Sequence, residues 1–127
     1  MANLKKATQA KAVTNGLPDL IIDCITDIKG KKIVLLDLRE LKDAPTDFFI
    51  VCEGEATTQV RGIAGNIERR LKNEIKLHPG HVAGLEHARW VCMDYFEAIV
   101  HIFHPETTHF YDLEQLWGDA RRTEYED

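Results

Sequence analysis

The stretch from Trp90 to Phe103 constrains the fold more than any other part of the chain. Residues with β-branched and aromatic side chains dominate on both sides of an acidic centre, which is typical of two short strands joined by a tight turn. With the turn centred on Tyr95 and Phe96, Trp90 lies opposite His101. The same register pairs Cys92 with Ile99 and Asp94 with Glu97, and it places all six side chains on one side of the sheet.

The two faces of this hairpin differ in chemistry. One face is wholly apolar and is predicted to join the core: it carries Val91, Met93, Ala98, Val100 and Ile102. The other, here called the mixed face, carries Trp90, Cys92, Asp94, Glu97, Ile99, His101 and Phe103. Because buried charges must be paired or neutralised, we expect the mixed face to meet water or a partner. The alternative is that Trp90 packs under a helix and that His101 is a satisfied core histidine.

Length and charge indicate one soluble domain. A chain of 127 residues with 44% hydrophobic residues suffices for a single core. The formal net charge of −5 opposes phosphate-backbone binding as the main activity and favours a basic or neutral protein partner. No signal peptide or membrane-spanning run is present, and the three cysteines lack close spacing, so we expect a cytoplasmic protein with no membrane partner.

The chain contains no serine. A serine nucleophile is therefore excluded, and so is the Gly-Ser pair that opens the active site of nucleotidyltransferases. Glycine-rich phosphate-binding motifs are also absent, and we predict no cofactor.

The sequence also contains residue types that could support a metal site or acid–base catalysis. Two histidine pairs are spaced three residues apart, His78 with His81 and His101 with His104, but neither has nearby residues to complete a tetrahedral set. No metal site is therefore predicted. Acid–base catalysis by Asp94, Glu97 and His101 stays an alternative because the predicted register gathers them on one face. Nothing in the sequence supplies an oxyanion donor for it.

Hydrophobic spacing predicts the other elements: a helix from Pro18 that stops before Gly30, strands over 32–38 and 47–52, a long helix over 57–76 and a short helix over 112–120. The first strand is a near-continuous apolar run, as expected when both faces are covered. In the long helix, Gly62 and Gly65 are interpreted as points of close approach to a strand. We predict an α/β fold with a single mixed β-sheet packed with helices. Residues 1–17 form a flexible N-terminal extension, 18–120 the domain and 121–127 a loose polar tail.

Several blocks of sequence together resemble the bacterial ribosomal silencing factors, also called the Iojap family. The blocks are Leu36-Asp37, Asp47-Phe-Phe-Ile-Val, Thr58-Gln59-Val60, Trp90-Val-Cys-Met-Asp94-Tyr95, Val100-His101-Ile-Phe103 and Phe110-Tyr111-Asp-Leu113-Glu114-Gln-Leu-Trp117. Their order and spacing match over roughly residues 20–120. The resemblance implies a nucleotidyltransferase-like domain without that superfamily's catalytic residues, and the missing Gly-Ser pair agrees with this.

The resemblance also implies a function that is not enzymatic. Such proteins bind a ribosomal protein of the large subunit, the one numbered fourteen, and sterically prevent the small subunit from docking. Translation is thereby lowered when nutrients are short. The family's binding surface implies a site at Trp90, Asp94 and His101. We extend this site to Ile99 and Phe103, with Glu97 and Tyr111 at its rim, and expect little direct nucleic-acid binding.

The sequence departs from the family pattern at three places. Phe96 stands where a glycine usually follows the motif tyrosine, Ala83-Gly84 replaces Glu-Gly, and Thr108 replaces an arginine. Phe96 bears directly on the geometry of the predicted turn. Two alternatives to ribosome binding stay open: a residual nucleotide-binding or nucleotidyltransferase-like enzyme, and a homodimer formed through the mixed face.

Overall fold

A computed structural model describes residues 16–108 and 118–125 of the chain. In this part of the chain the elements are α1 (Leu17–Asp27), β1 (Lys31–Asp37), β2 (Phe48–Glu53), α2 (Thr57–Ile75), β3 (His81–Ala83), β4 (Trp90–Asp94), β5 (Ala98–Phe103), α3 (Pro105–Thr108) and β6 (Arg121–Tyr125). The strands form one sheet in the order β3-β4-β5-β2-β1-β6. Strands β2 and β5 are parallel and the other described pairs are antiparallel. The predicted α/β fold with a single mixed sheet is confirmed. The N-terminal extension through residue 15, Tyr111 and most of the predicted final helix lie outside the described residues.

Helices α1 and α2 pack against each other and against one face of the sheet. Their apolar stripes meet the alternating apolar side chains of the inner strands, and these residues together form the main core. The apolar face predicted for the hairpin lies in this core, where its five residues are each fully buried: Val91, Met93, Ala98, Val100 and Ile102. That part of the prediction is confirmed.

Strand β1 is buried on both faces. On the side away from the helices a smaller cluster forms from Val34, Leu36, Leu38 and Phe49. The segment that connects β1 with β2 folds over this cluster and contributes Leu41 and Ala44. A strand covered on both sides needs apolar residues at successive positions, which accounts for the apolar run from Ile33 to Leu36.

The prediction of a loose tail was wrong for Arg121–Tyr125. These residues pair with β1 in an antiparallel register that runs from Ile33 opposite Tyr125 to Asp37 opposite Arg121. Tyr125 also packs against the main core. The tail is polar because it is an edge strand, and its backbone hydrogen bonds to β1 hold it in place without a hydrophobic pattern.

The interpretation of the two helix glycines was also wrong. A Cβ atom added at Gly62 would lie 3.5 Å from Cγ2 of Ile28, which is an ordinary van der Waals contact. At Gly65 an added Cβ would meet nothing within 4 Å. Neither glycine is therefore required by close packing against a strand.

Candidate functional site

The mixed face exists in the structure, but its register differs from the prediction. The observed pairs are Trp90 with Phe103, Cys92 with His101 and Asp94 with Ile99. The centre of the hairpin lies one residue later than predicted, so every partner moves by two positions. Because strand side chains alternate with a period of two, a shift of two leaves each of them on the same face. The predicted pairs were wrong, while the six strand residues still share the mixed face.

Phe96 forms the tip of the hairpin. The N–H of Glu97 donates to the carbonyl oxygen of Tyr95 at 2.8 Å, and Phe96 between them has a φ of 70°. This is a γ-turn, a conformation that is strained for a residue other than glycine. Two contacts hold it: the N–H of Phe96 donates to Oδ1 of Asp94 at 2.8 Å, and Oγ1 of Thr46 donates to the carbonyl oxygen of Phe96 at 2.8 Å. Asp94 therefore fixes the hairpin tip from the mixed face.

Glu97 does not face Asp94, and this part of the prediction was wrong. Its side chain is exposed at the hairpin tip, and its carbonyl oxygen accepts a hydrogen bond from the N–H of Phe48 at 3.1 Å. Ile99 takes the place opposite Asp94 and packs partly against the smaller apolar cluster. Ile99 replaces Glu97 opposite Asp94 because the hairpin is centred one residue later than predicted, which leaves Glu97 in the loop.

An aromatic cluster occupies the end of the mixed face nearest Trp90. The rings of Trp90 and Phe103 are stacked with centroids 5.3 Å apart, and Phe49 meets His101 edge-on at 4.9 Å. The indole N–H of Trp90 donates to Nδ1 of His101 at 3.1 Å. Sequence reasoning missed Phe49, because it lies on β2 and reaches His101 only through the parallel pairing of β2 with β5.

His101 is a buried, neutral histidine. The residue is only 6% exposed, and burial lowers the pKa of its ring from 6.5 to about 4. Since Nδ1 accepts the indole N–H, the ring proton must be on Nε2. Among the described residues, Nε2 has no hydrogen-bond partner.

The expectation that the mixed face meets water holds for only part of it. Trp90, Cys92, Asp94 and Ile99 are half-buried, whereas His101 and Phe103 are buried. His101 therefore acts from beneath the surface, where its hydrogen bond sets the position of the Trp90 ring. A tryptophan held in this way loses little conformational freedom when a partner binds.

The structure does not bring Asp94, Glu97 and His101 together in the way that acid–base catalysis would require. Glu97 lies in the hairpin loop, and the carboxylate of Asp94 accepts a backbone N–H. A histidine whose pKa is about 4 is poorly matched to general-base work near neutral pH. The three groups therefore do not form one reactive cluster.

The chain just before Trp90 is fastened to α2. Arg61 donates from Nε to the carbonyl oxygen of Leu85 at 3.0 Å and from Nη2 to that of Glu86 at 2.6 Å. Gly84 has a φ of 93°, and a Cβ atom there would lie 2.1 Å from the carbonyl oxygen of Trp90. Only glycine fits this approach. Arg61 and Gly84 thus position the start of β4. The sequence signal for Gly84 was that the family pattern also has a glycine at this place, whereas Arg61 gave no signal.

Within residues 16–108 and 118–125, no group of three or more histidine, cysteine, aspartate or glutamate side chains is placed to hold a metal ion. The helices in these ranges include none that is both long enough and apolar enough to span a membrane.

Comparison with known proteins identifies the family of this chain. A family model described as "Ribosomal silencing factor during starvation" matches residues 11–127. The chain belongs to the ribosomal silencing factor family. The resemblance drawn from the sequence blocks is thereby confirmed, and the match extends through β6. The family is named for a factor that silences ribosomes and not for an enzymatic activity.

Individual relatives agree with this assignment. The ribosomal silencing factor of Halalkalibacterium halodurans is 34% identical over 110 residues, covering 87% of this chain and 92% of that protein. A crystal structure of a protein from Chromobacterium violaceum, 34% identical, superposes with a TM-score of 0.74 over 80% of this chain and 82% of that one. A mouse protein named "Mitochondrial assembly of ribosomal large subunit protein 1" is 27% identical over 74 residues, covering 57% of this chain and 32% of that protein.

Proposed function

We propose that this protein lowers translation by binding the large ribosomal subunit and keeping the small subunit from docking. Its contact is the large-subunit ribosomal protein numbered fourteen, at the subunit-joining face, and it acts in the cytoplasm when nutrients are short. The family match over residues 11–127 carries this proposal. The name of the mouse relative, which mentions the large ribosomal subunit, supports the choice of subunit.

The geometry of the mixed face supports a protein partner. Trp90 is half-buried, stacks on Phe103 and is hydrogen-bonded to His101, so the exposed part of its ring is presented in a fixed orientation. Binding hot spots are enriched in tryptophan, and they need little ordering when the side chain is already held. Asp94 and Ile99 extend this surface toward the hairpin tip.

The experiment is co-sedimentation of the purified protein with separated large subunits, small subunits and joined ribosomes. Wild-type protein is expected to sediment with large subunits. Trp90→Ala should weaken this binding by about 2 kcal/mol or more, roughly thirtyfold, because the anchor ring is lost. Trp90→Phe, which keeps an aromatic ring but loses the hydrogen bond to His101, should fall between the two.

Ile75→Ala is the matched control. Ile75 is an exposed apolar residue, 46% exposed, in the last turn of α2 on the helix side of the sheet. Its truncation should leave binding unchanged. If Ile75→Ala and Trp90→Ala weaken binding equally, the mixed face is not the site; if wild type sediments with no ribosomal particle, the proposed function is wrong.

A further inference from the structure

The turn between α1 and β1 concentrates positive charge in an otherwise acidic chain. Together with the first two residues of β1, the turn reads Lys29-Gly30-Lys31-Lys32, and three of these four residues are lysines. Lys29 and Lys32 are exposed, and both have left-handed backbone, with φ of 63° and 53°. Non-glycine residues adopt this conformation infrequently, although it is common just past the end of a helix, where Lys29 lies.

The turn is held rigidly from below. Gly30 is buried, its N–H donates to the carbonyl oxygen of Ile25 at 3.0 Å, and a Cβ atom there would lie 2.3 Å from the Ile25 side chain. From α2, Nε2 of Gln59 donates to the carbonyl oxygens of Ile28 and Lys29 at 2.9 and 3.1 Å. The lysines therefore extend from a fixed backbone, whose ordering does not have to be supplied by a ligand.

Two lysines of this turn, Lys29 and Lys32, differ from most arginines of the described residues in having no carboxylate partner. Five arginines each pair with a carboxylate of the same chain: Arg39, Arg70, Arg89, Arg121 and Arg122. Among the described residues, Lys29 and Lys32 have no such pair. Their charges are available to an anionic partner.

The turn lies at the same end of the sheet as Trp90. Lys31 pairs with Glu53, Glu53 with Phe103, and Phe103 with Trp90, so one row of residues crosses four neighbouring strands. With about 4.8 Å between strands, the row places Lys31 roughly 15 Å from Trp90. A typical protein interface buries about 800 Å² on each side, so a partner seated on Trp90 reaches the margin where the basic turn lies.

We propose that the turn from Lys29 to Lys32 contacts phosphates of ribosomal RNA on the large subunit, beside the surface centred on Trp90. This inference rests on the proposed function. Phosphates of RNA are the densest anions that a ribosomal surface offers, and lysine binds them as a point charge without base specificity. The overall charge of −5 predicted little nucleic-acid binding because it averages over the chain and does not register this local cluster.

The test compares two double variants in binding to purified large subunits across a range of salt concentrations. Lys29→Asn with Lys32→Asn removes two charges, and asparagine tolerates the left-handed backbone. The control is Lys72→Asn with Lys76→Asn, which removes two exposed charges at the far end of α2, where Lys76 is also left-handed with a φ of 56°. Equal urea midpoints of the variants establish that both are folded.

We expect the variants to differ in how steeply their affinity for the large subunit falls as the salt concentration rises. Each phosphate contact contributes about 0.7 to 0.9 to the slope of log affinity against log salt, so the Lys29 and Lys32 variant should lose about 1.5 from the slope and on the order of tenfold in affinity at low salt. The control should keep the wild-type slope. Trp90→Ala should lose affinity with its slope unchanged, because an aromatic contact releases no counterions.

Binding to the isolated ribosomal protein numbered fourteen separates RNA from protein contacts. The Lys29 and Lys32 variant should bind this protein as wild type does. Equal loss there would place the lysines on the protein and overturn the inference, as would an unchanged slope on whole subunits. If wild-type protein binds no large subunit, the proposed function fails together with this inference; if wild type binds and the slope does not change, only this inference fails.

Discussion

His101 should make the folding stability of this protein depend on pH. The residue is only 6% exposed, and burial lowers the pKa of its ring from 6.5 to about 4, so the ring is neutral near pH 7. In the unfolded chain the ring meets water and has its ordinary pKa. Between these two values the unfolded state binds more protons than the folded state, so stability must rise with pH. The contribution of neutral His101 to the free energy of unfolding is complete above pH 6.5 and is lost as the pH falls toward 4.

The expected size follows from the shift. From about pH 7.5 to about pH 5, the unfolded histidine gains most of a proton while the folded one stays largely neutral, which corresponds to a loss of about 2 kcal/mol. Total stabilities of 5 to 15 kcal/mol are usual, so this loss is readily measured. Most carboxylates still carry their charge at about pH 5 and contribute little to the difference.

The assay is urea unfolding at these two pH values for wild type and His101→Gln. Wild type should lose about 2 kcal/mol more than the variant, because glutamine takes up no proton. His87→Gln, at an exposed position, serves as the control and should behave as wild type does. If wild type and His101→Gln lose the same amount, His101 is not held neutral by burial, and the account of the Trp90 hydrogen bond falls with it.

Two further predictions concern positions that the structure sets apart. Gly84→Ala should destabilise the fold by more than about 2 kcal/mol, because the new Cβ would collide with the carbonyl oxygen of Trp90, whereas Gly65→Ala should stabilise it by up to about 1 kcal/mol; thermal unfolding of both variants checks this, and similar effects would contradict it. Arg70→Met removes ion pairs to Asp23, Asp27 and Glu74. It should cost about 1 kcal/mol at low salt and less in 1 M salt, and a cost independent of salt would show that packing dominates.

The hairpin shows how far local sequence reasoning reaches. Alternation along Trp90–Asp94 and Ala98–Phe103 was enough to separate the apolar face from the mixed face. It was not enough to fix the pairing, because the γ-turn at Phe96 depends on Asp94 and on Thr46, which lies 50 positions away. An error of one residue in the turn changes every pair and leaves every face intact, so the two faces were predicted correctly while the cross-strand pairs were not.

Which side chains of the mixed face are buried could not be predicted either, because burial also depends on residues far apart in the sequence. Phe49 covers His101 only because β2 lies parallel to β5, and such non-local pairing leaves no signal in either strand. Arg61 likewise fastens the Leu85–Glu86 segment from another element.

By itself, the sequence determined the fold class, the strands β1, β2, β4 and β5, the two faces of the hairpin, and the family, since period-two alternation and ordered motif blocks are local properties of a chain. Tertiary structure alone decided that Arg121–Tyr125 is an edge strand, that His101 is buried and neutral, and that the lysine turn shares a row with Trp90. Each of these findings depends on which strands, far apart in the sequence, pair with one another in the sheet. The strand pairing is decided by the packing free energy of the whole domain, because no single segment carries enough information to select its partner.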